Sequence, residues 1–129
     1  METTTTWKSG QAFTSRYKTS AIEIDGDGFS PKALLLTGLA GCTGIDLISL
    51  LEKMRVPCGG IEISVQTETT TEHPKVFKDI QMVYKVTTGD ENKDKVKKAI
   101  DLSLEKYCGV AAMLHKASSI NYTIELIAA

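Results

Sequence analysis

The sequence predicts an α+β fold with elements ordered β-β-(β)-α-β-β-α-α-β. Three observations lead to it. Period-two alternation of apolar and polar residues recurs near both ends and in the middle of the chain. One long segment carries apolar residues around most of a helical circumference. Strands come in runs with isolated helices between them, which argues against a doubly wound sheet.

From Thr4 to Ile24 the pattern gives two or three short antiparallel strands, among them Ala12-Phe13-Thr14-Ser15-Arg16-Tyr17 and Ala21-Ile22-Glu23-Ile24. Asp25-Gly26-Asp27-Gly28 is a strong turn signal. Ser30-Pro31 starts a helix, with Ser as N-cap and Pro at the first helical position. The helix runs to about Arg55 and is closed by Val56-Pro57. Leu34, Leu35, Leu36, Leu39, Ile45, Leu47, Ile48, Leu50, Leu51 and Met54 surround its axis. A helix apolar nearly all round is buried on several sides, and a chain this small can hardly cover it alone, so a dimer is expected. Gly38, Gly41 and Gly44 leave one face bare for close backbone approach, at about 1 kcal/mol of helix propensity each.

Ile61 to Thr69 and Val76 to Thr87 alternate cleanly and form a hairpin across Glu72-His73-Pro74-Lys75. Asp90 or Asn92 caps an amphipathic helix that continues through Val96, Ile100, Leu102 and Leu104 to Tyr107. A short helix follows from Cys108 to about Lys116, and Ser119 to Ile127 alternates as a last strand.

The length of 129 residues gives one domain, 1–129, as the expectation. Apolar content of 42% and charged content of 24% are ordinary for a globular protein. A net charge of −1 gives no electrostatic reason to expect nucleic acid or an anionic membrane. The polar start Met1-Glu2-Thr3-Thr4-Thr5-Thr6 lacks the apolar stretch of a signal peptide. The segment Ala33 to Leu51 is interrupted by Gly, Thr, Asp and Ser, so no membrane span is expected and the location is expected to be cytoplasmic. There is no CxxC, and His73 and His115 complete no zinc-ligand spacing, so neither metal nor cofactor is expected.

The chemistry is carried by Cys42 and Cys108. Each opens a small-residue turn of a predicted helix: Gly38-Leu39-Ala40-Gly41-Cys42-Thr43-Gly44 and Glu105-Lys106-Tyr107-Cys108-Gly109-Val110-Ala111-Ala112. Thiolates near helix N-termini gain reactivity from unpaired N–H groups. Buried free cysteines also serve simply as small apolar residues. Cys58 reads as an incidental loop thiol.

Ser30-Pro31 eleven residues before Cys42, the run Leu39-Ala40-Gly41-Cys42, and Glu-Lys-Tyr-Cys ending at Cys108 resemble the OsmC/Ohr family of osmotically inducible and organic hydroperoxide resistance proteins, nearest its OsmC-like, YhfA-type branch. The resemblance runs from about Phe13 to the C-terminus. It implies an intertwined homodimer whose sheets wrap two long central helices. It also implies thiol-dependent reduction of organic hydroperoxides at the dimer interface, with Cys42 attacking the peroxide and Cys108 resolving it as a disulfide. A thiol reductant, lipoyl or another dithiol, would restore the pair.

Two features depart from the family pattern. Ala33 stands where active members carry a glutamate, and the arginine expected about twenty residues before Cys42 is missing, that region being occupied by Ile22 and its neighbours. The chain has two arginines, Arg16 and Arg55. Arg16, or Lys32 in its place, is the candidate for charge support. Asp46, four residues after Cys42, shares its helix face and is expected to bond to Thr43 or across the interface. Glu105 is a candidate acid, and Tyr107, Leu35, Leu39 and Met113 are candidate pocket walls. The alternative to an enzyme is a dimer that binds a small apolar ligand in its interface cavity.

Overall fold

A computed structural model describes residues 1–128. The chain divides into two compact units, Met1–Leu36 and Thr37 onward.

The first unit holds a three-stranded antiparallel meander, β1 (Thr4–Ser9), β2 (Ala12–Tyr17) and β3 (Ser20–Ile24). The β1–β2 turn is closed by Gly10 at φ +53°, whose carbonyl accepts the Trp7 indole N–H at 2.9 Å. In the tight β2–β3 turn, Lys18 takes φ +54°. After β3 the Asp25 carboxylate accepts the Asp27 N–H at 3.2 Å, and the Gly28 N–H bonds to the Asp25 carbonyl at 3.1 Å, as the Asp-Gly-Asp-Gly composition predicts. The Ser30 hydroxyl then caps helix α1 (Pro31–Lys53) by accepting the Ala33 N–H at 3.2 Å.

The second unit is a mixed three-stranded sheet with β5 (Phe77–Thr87) in the centre. β4 (Gly60–Thr69) pairs with it antiparallel as the expected hairpin, and β6 (Ser119–Ile127) pairs with it parallel. A parallel neighbour needs a crossover, supplied here by α2 (Lys93–Leu102) and α3 (Gly109–His115). Register places Ile63, Tyr84 and Ile124 abreast, with Val65, Met82 and Tyr122 beside them, on one face. That face carries the core residues Ile80, Met82, Tyr84 and Val86, which meet Leu39, Leu47 and Leu51 of α1 and Val96 and Ile100 of α2 in the buried interior. The opposite face is polar, with Lys85 reaching Glu62 at 3.6 Å and Glu125 at 4.0 Å.

The C-terminus of α1 is a Schellman closure. The Val56 N–H bonds to the Leu51 carbonyl at 2.9 Å and the Arg55 N–H to the Glu52 carbonyl at 3.0 Å, with Arg55 at φ +58°. Along the helix the buried residues are Leu39, Thr43, Leu47 and Leu51, one stripe at four-residue spacing. Of its other large apolar residues, Leu34, Leu36 and Leu50 are partly covered, as is Met54 just beyond its end, whereas Leu35, Ile45 and Ile48 are exposed, Ile45 at 72% and Ile48 at 45%. Gly44 permits the expected close approach, since a Cβ there would lie 3.3 Å from Ile63, while Gly38 and Gly41 face open space.

The α2 region departs from the sequence expectation at both ends. A 3-10 turn, Asp90–Asn92, precedes α2, and Asn92 donates its amide to Thr88 at 3.0 Å instead of making a side-chain cap. The helix predicted to run unbroken to Tyr107 ends at Leu102, and Ser103–Tyr107 forms a π turn. Its closing bond runs from the Cys108 N–H to the Ser103 carbonyl at 2.7 Å, five residues back. The widened turn accommodates one extra residue and buries both Ser103 and Cys108, a placement no helical period encodes.

Candidate functional site

The two thiols expected to act together do meet. Cys42 Sγ, Cys108 Sγ and an Asp46 carboxylate oxygen all lie within 4.8 Å of one another. Cys42 and Asp46 come from adjacent turns of α1, four residues apart, as the helical period requires. Cys108 arrives from the far end of the π turn as the N-cap of α3, its sulfur accepting the Ala111 N–H at 3.3 Å. Both cysteines are free thiols; Cys42 is half-buried and Cys108 buried.

Burial pushes the Cys108 thiol up to about 11, with the adjacent Cys42 sulfur and the Asp46 charge acting in the same direction and the Ala111 N–H opposing them. Cys108 therefore keeps its proton at neutral pH. For Cys42 the expected helix-N-terminal setting is corrected. It sits well inside α1, whose helix continues unbroken through the glycines, so the N–H groups of its turn are committed to intrahelical bonds.

Asp46 is held from behind. Ser103 Oγ donates to Asp46 Oδ2 at 2.8 Å. Thr43 Oγ1 lies 2.9 Å from Ser103 Oγ and 2.9 Å from Tyr84 Oη. Each hydroxyl has one proton, and a carboxylate only accepts. Ser103 therefore spends its proton on Asp46, Thr43 donates to Ser103, and Tyr84 donates to Thr43. The expected Asp46–Thr43 bond is thus replaced by one through Ser103. Burial, the largest influence, pushes the Tyr84 hydroxyl up to about 12, so the head of the chain stays protonated. Ser103 and Tyr84 carried no signal in the sequence, because a serine or a strand tyrosine announces a polar partner only once the fold places one beside it.

Arg16 is exposed on β2 and Lys32 is exposed in the first turn of α1. Glu105 is exposed and lines a groove of about 530 Å³ with Asp101, Leu104, Ala112, His115 and Lys116. Tyr107 is half-exposed, with the Lys106 ammonium 5.5 Å from its ring centre. Leu39 is core, whereas Leu35 and Met113 are exposed. Cys58 is half-buried, its thiol 3.5 Å from the Gly60 carbonyl. Beside the thiol helix, α1 and β4 form a shallow apolar groove of about 580 Å³ walled by Ala40, Gly41, Gly44, Ile45, Ile48, Ile61 and Ile63.

A mixed α+β fold whose second unit sets two thiols between a central helix and a crossover from the sheet defines a protein of the OsmC/Ohr architecture. Residues 24–123 match the family model described as OsmC-like protein, and the chain belongs to that family. Protein YhfA of Escherichia coli K12 is 39% identical over 100 residues, covering 78% of this chain and 75% of that one. A hypothetical protein from Aquifex aeolicus VF5 has a crystal structure that superposes with a TM-score of 0.85 at 26% identity, covering 98% and 96% of the two chains. The organic hydroperoxide resistance protein OhrB of Bacillus subtilis shares the fold with a TM-score of 0.67 at 17% identity, over 96% of both chains.

α1 is long and apolar enough to cross a membrane by length and composition. Thr43 and Asp46 at its centre are hydrogen-bonded to the sheet and to the π turn.

Proposed function

We propose that this chain is a peroxide-related stress protein that reduces organic hydroperoxides with the Cys42/Cys108 pair. The observation that carries the reading is the meeting, within 4.8 Å, of two thiols that are 66 positions apart in sequence. Cys42 as thiolate attacks one peroxide oxygen. The S–O bond forms, the O–O bond breaks, and the alkoxide leaves with a proton as an alcohol. Cys108 then attacks the Cys42 sulfenic acid sulfur; the S–S bond forms and water leaves. A dithiol reductant, lipoyl or another, returns both thiols by exchange. In this second step the Cys108 proton leaves with the sulfenic hydroxyl as water, and the raised proton affinity of Cys108 assigns the first attack to Cys42.

The working form in this reading is a homodimer in the cytoplasm, each subunit one OsmC-like domain. The exposed Ile45 and Ile48 on an otherwise apolar helix support a second copy over that face. Arg16, or Lys32, supplies charge to the thiolate. The test is stopped-flow thiol loss after cumene hydroperoxide is added to the reduced protein, with mass spectrometry. Rapid formation of a Cys42–Cys108 disulfide, absent in Cys42→Ser and slowed in Arg16→Ala, is expected. Thiol loss no faster than that of a free cysteine would sink the reading.

One observation favours the alternative, a dimer that binds a small apolar ligand. The groove beside α1 is lined by apolar side chains and glycine together with Thr37 and Ser49, and Ala33 stands where active members carry glutamate. Saturable binding of an apolar fluorophore without thiol oxidation would select it.

A further inference from the structure

Two sulfurs and a carboxylate within 4.8 Å are a donor set as well as a redox pair. Thiolates select borderline-soft cations such as zinc over magnesium or calcium, and a carboxylate completes such sets readily. In tetrahedral zinc geometry, with Zn–S at about 2.3 Å and Zn–O at about 2.1 Å, neighbouring ligand atoms stand roughly 3.6–3.8 Å apart. The cluster reaches that spacing by side-chain movements of about 1 Å. Cys42 and Asp46 share a helix face, four residues apart, and the Cys108 sulfur lies beside them.

The supports that orient metal ligands are also in place. Ser103 Oγ holds Asp46 through Oδ2, which leaves the other carboxylate oxygen for a metal. The Ala111 N–H points at the Cys108 sulfur, an N–H···S bond of the kind that stabilises a ligating thiolate. Behind Ser103, the Thr43 and Tyr84 hydroxyls fix the serine proton toward the carboxylate.

We propose that Cys42, Asp46 and Cys108 form a Zn(II) site with three protein ligands and a fourth position open to water or an exogenous ligand. Sequence spacing hid it, since Cys108 lies 66 positions after Cys42 and 62 after Asp46. Metal and disulfide draw on the same sulfurs and exclude each other, so an occupied site holds the pair reduced. The site does not rest on the peroxidase reading.

The test is anaerobic titration of the reduced, chelator-stripped full chain with Co²⁺, followed by Zn²⁺. The expected result is a near-ultraviolet thiolate-to-cobalt charge-transfer band with visible bands of tetrahedral Co(II). It should saturate at one metal per chain and be displaced by Zn²⁺. Cys42→Ser and Cys108→Ser should abolish the band. Asp46→Asn should weaken binding about tenfold or more. Cys58→Ser should leave it unchanged. A wild-type chain giving no charge-transfer band overturns the proposal, whatever the variants do. So does a band that survives Cys42→Ser, disappears in Cys58→Ser, or keeps its affinity in Asp46→Asn. Peroxide turnover without cobalt binding defeats this proposal alone; cobalt binding without turnover defeats only the peroxidase.

Discussion

Ser103 donates a hydrogen bond to the Asp46 carboxylate at 2.8 Å, tying the π turn before Cys108 to the helix that carries Cys42. Because the carboxylate can only accept, this one bond sets the direction of the whole chain from Tyr84 through Thr43 to Asp46. It also fixes the two thiol-bearing elements against each other.

Replacing Ser103 by Ala should therefore cost more than one ordinary hydrogen bond. The Thr43 hydroxyl loses its acceptor inside the core, and Asp46 loses its donor. A buried donor left unsatisfied costs about 1–3 kcal/mol. Urea denaturation should register a loss in that range. Adding Thr43→Val should give less than the sum of the two single losses, because the proton that Ser103→Ala strands is then gone, although Tyr84 loses its acceptor in turn. Strictly additive losses would mean that the two hydroxyls are not coupled.

Tyr84 gives the stability a pH dependence at high pH. Its hydroxyl titrates near 12 in the folded chain, mainly because of burial, against about 10 when unfolded. The raised value means that the folded state holds the proton longer than the unfolded state. The contribution is complete below about pH 10 and is lost as pH rises toward 12. Denaturation midpoints in a metal-free buffer should fall between pH 10 and 12. The fall should be shallower in Tyr84→Phe, which has no proton to lose. Equal slopes for the two proteins would show that Tyr84 titrates normally.

Much of this architecture was legible from residue order. Ser30-Pro31 marked the start of α1, and Ala33 N–H bonds to Ser30 as a capping serine requires. Alternation located β4, β5 and β6, because side-chain direction repeats every two residues. The pairing of Cys42 with Cys108 came from the family resemblance, and the i, i+4 spacing placed Asp46 with Cys42. The π turn was not legible. It trades one regular hydrogen bond for the burial of Ser103 and Cys108, which depends on tertiary neighbours. The parallel placement of β6 was equally silent, since alternation gives a strand but not its partner.

The end of α1 offers a stabilising change. Arg55 occupies the left-handed position of the Schellman closure at φ +58°, where a Cβ meets the following carbonyl. Glycine has no such cost and is the usual residue there. Arg55→Gly should raise stability by about 0.5–1 kcal/mol, after glycine's greater unfolded-state freedom is discounted. Thermal melts would read this as an upward shift. A drop would mean that the Arg55 side chain contributes contacts worth more than its backbone strain.

The uncovered side of α1 makes the strongest demand on assembly. Ile45 is 72% exposed and Ile48 45% in the single chain, beside a groove that ends on Ile61 and Ile63 of β4. If a second copy covers this face, a carboxylate at position 45 must be desolvated on association, at a cost of several kcal/mol. Ile45→Glu should then weaken the dimer by about 100-fold or more, since about 3 kcal/mol corresponds to that factor. Light scattering across a dilution series would measure it. Ile45→Ala, which removes apolar area and adds no charge, should give a smaller loss in the same direction. The fold of each chain should persist, because the buried stripe Leu39, Thr43, Leu47 and Leu51 lies on the other side of the helix. A dimer of unchanged affinity in Ile45→Glu would place the interface on another surface and leave the groove free for a ligand.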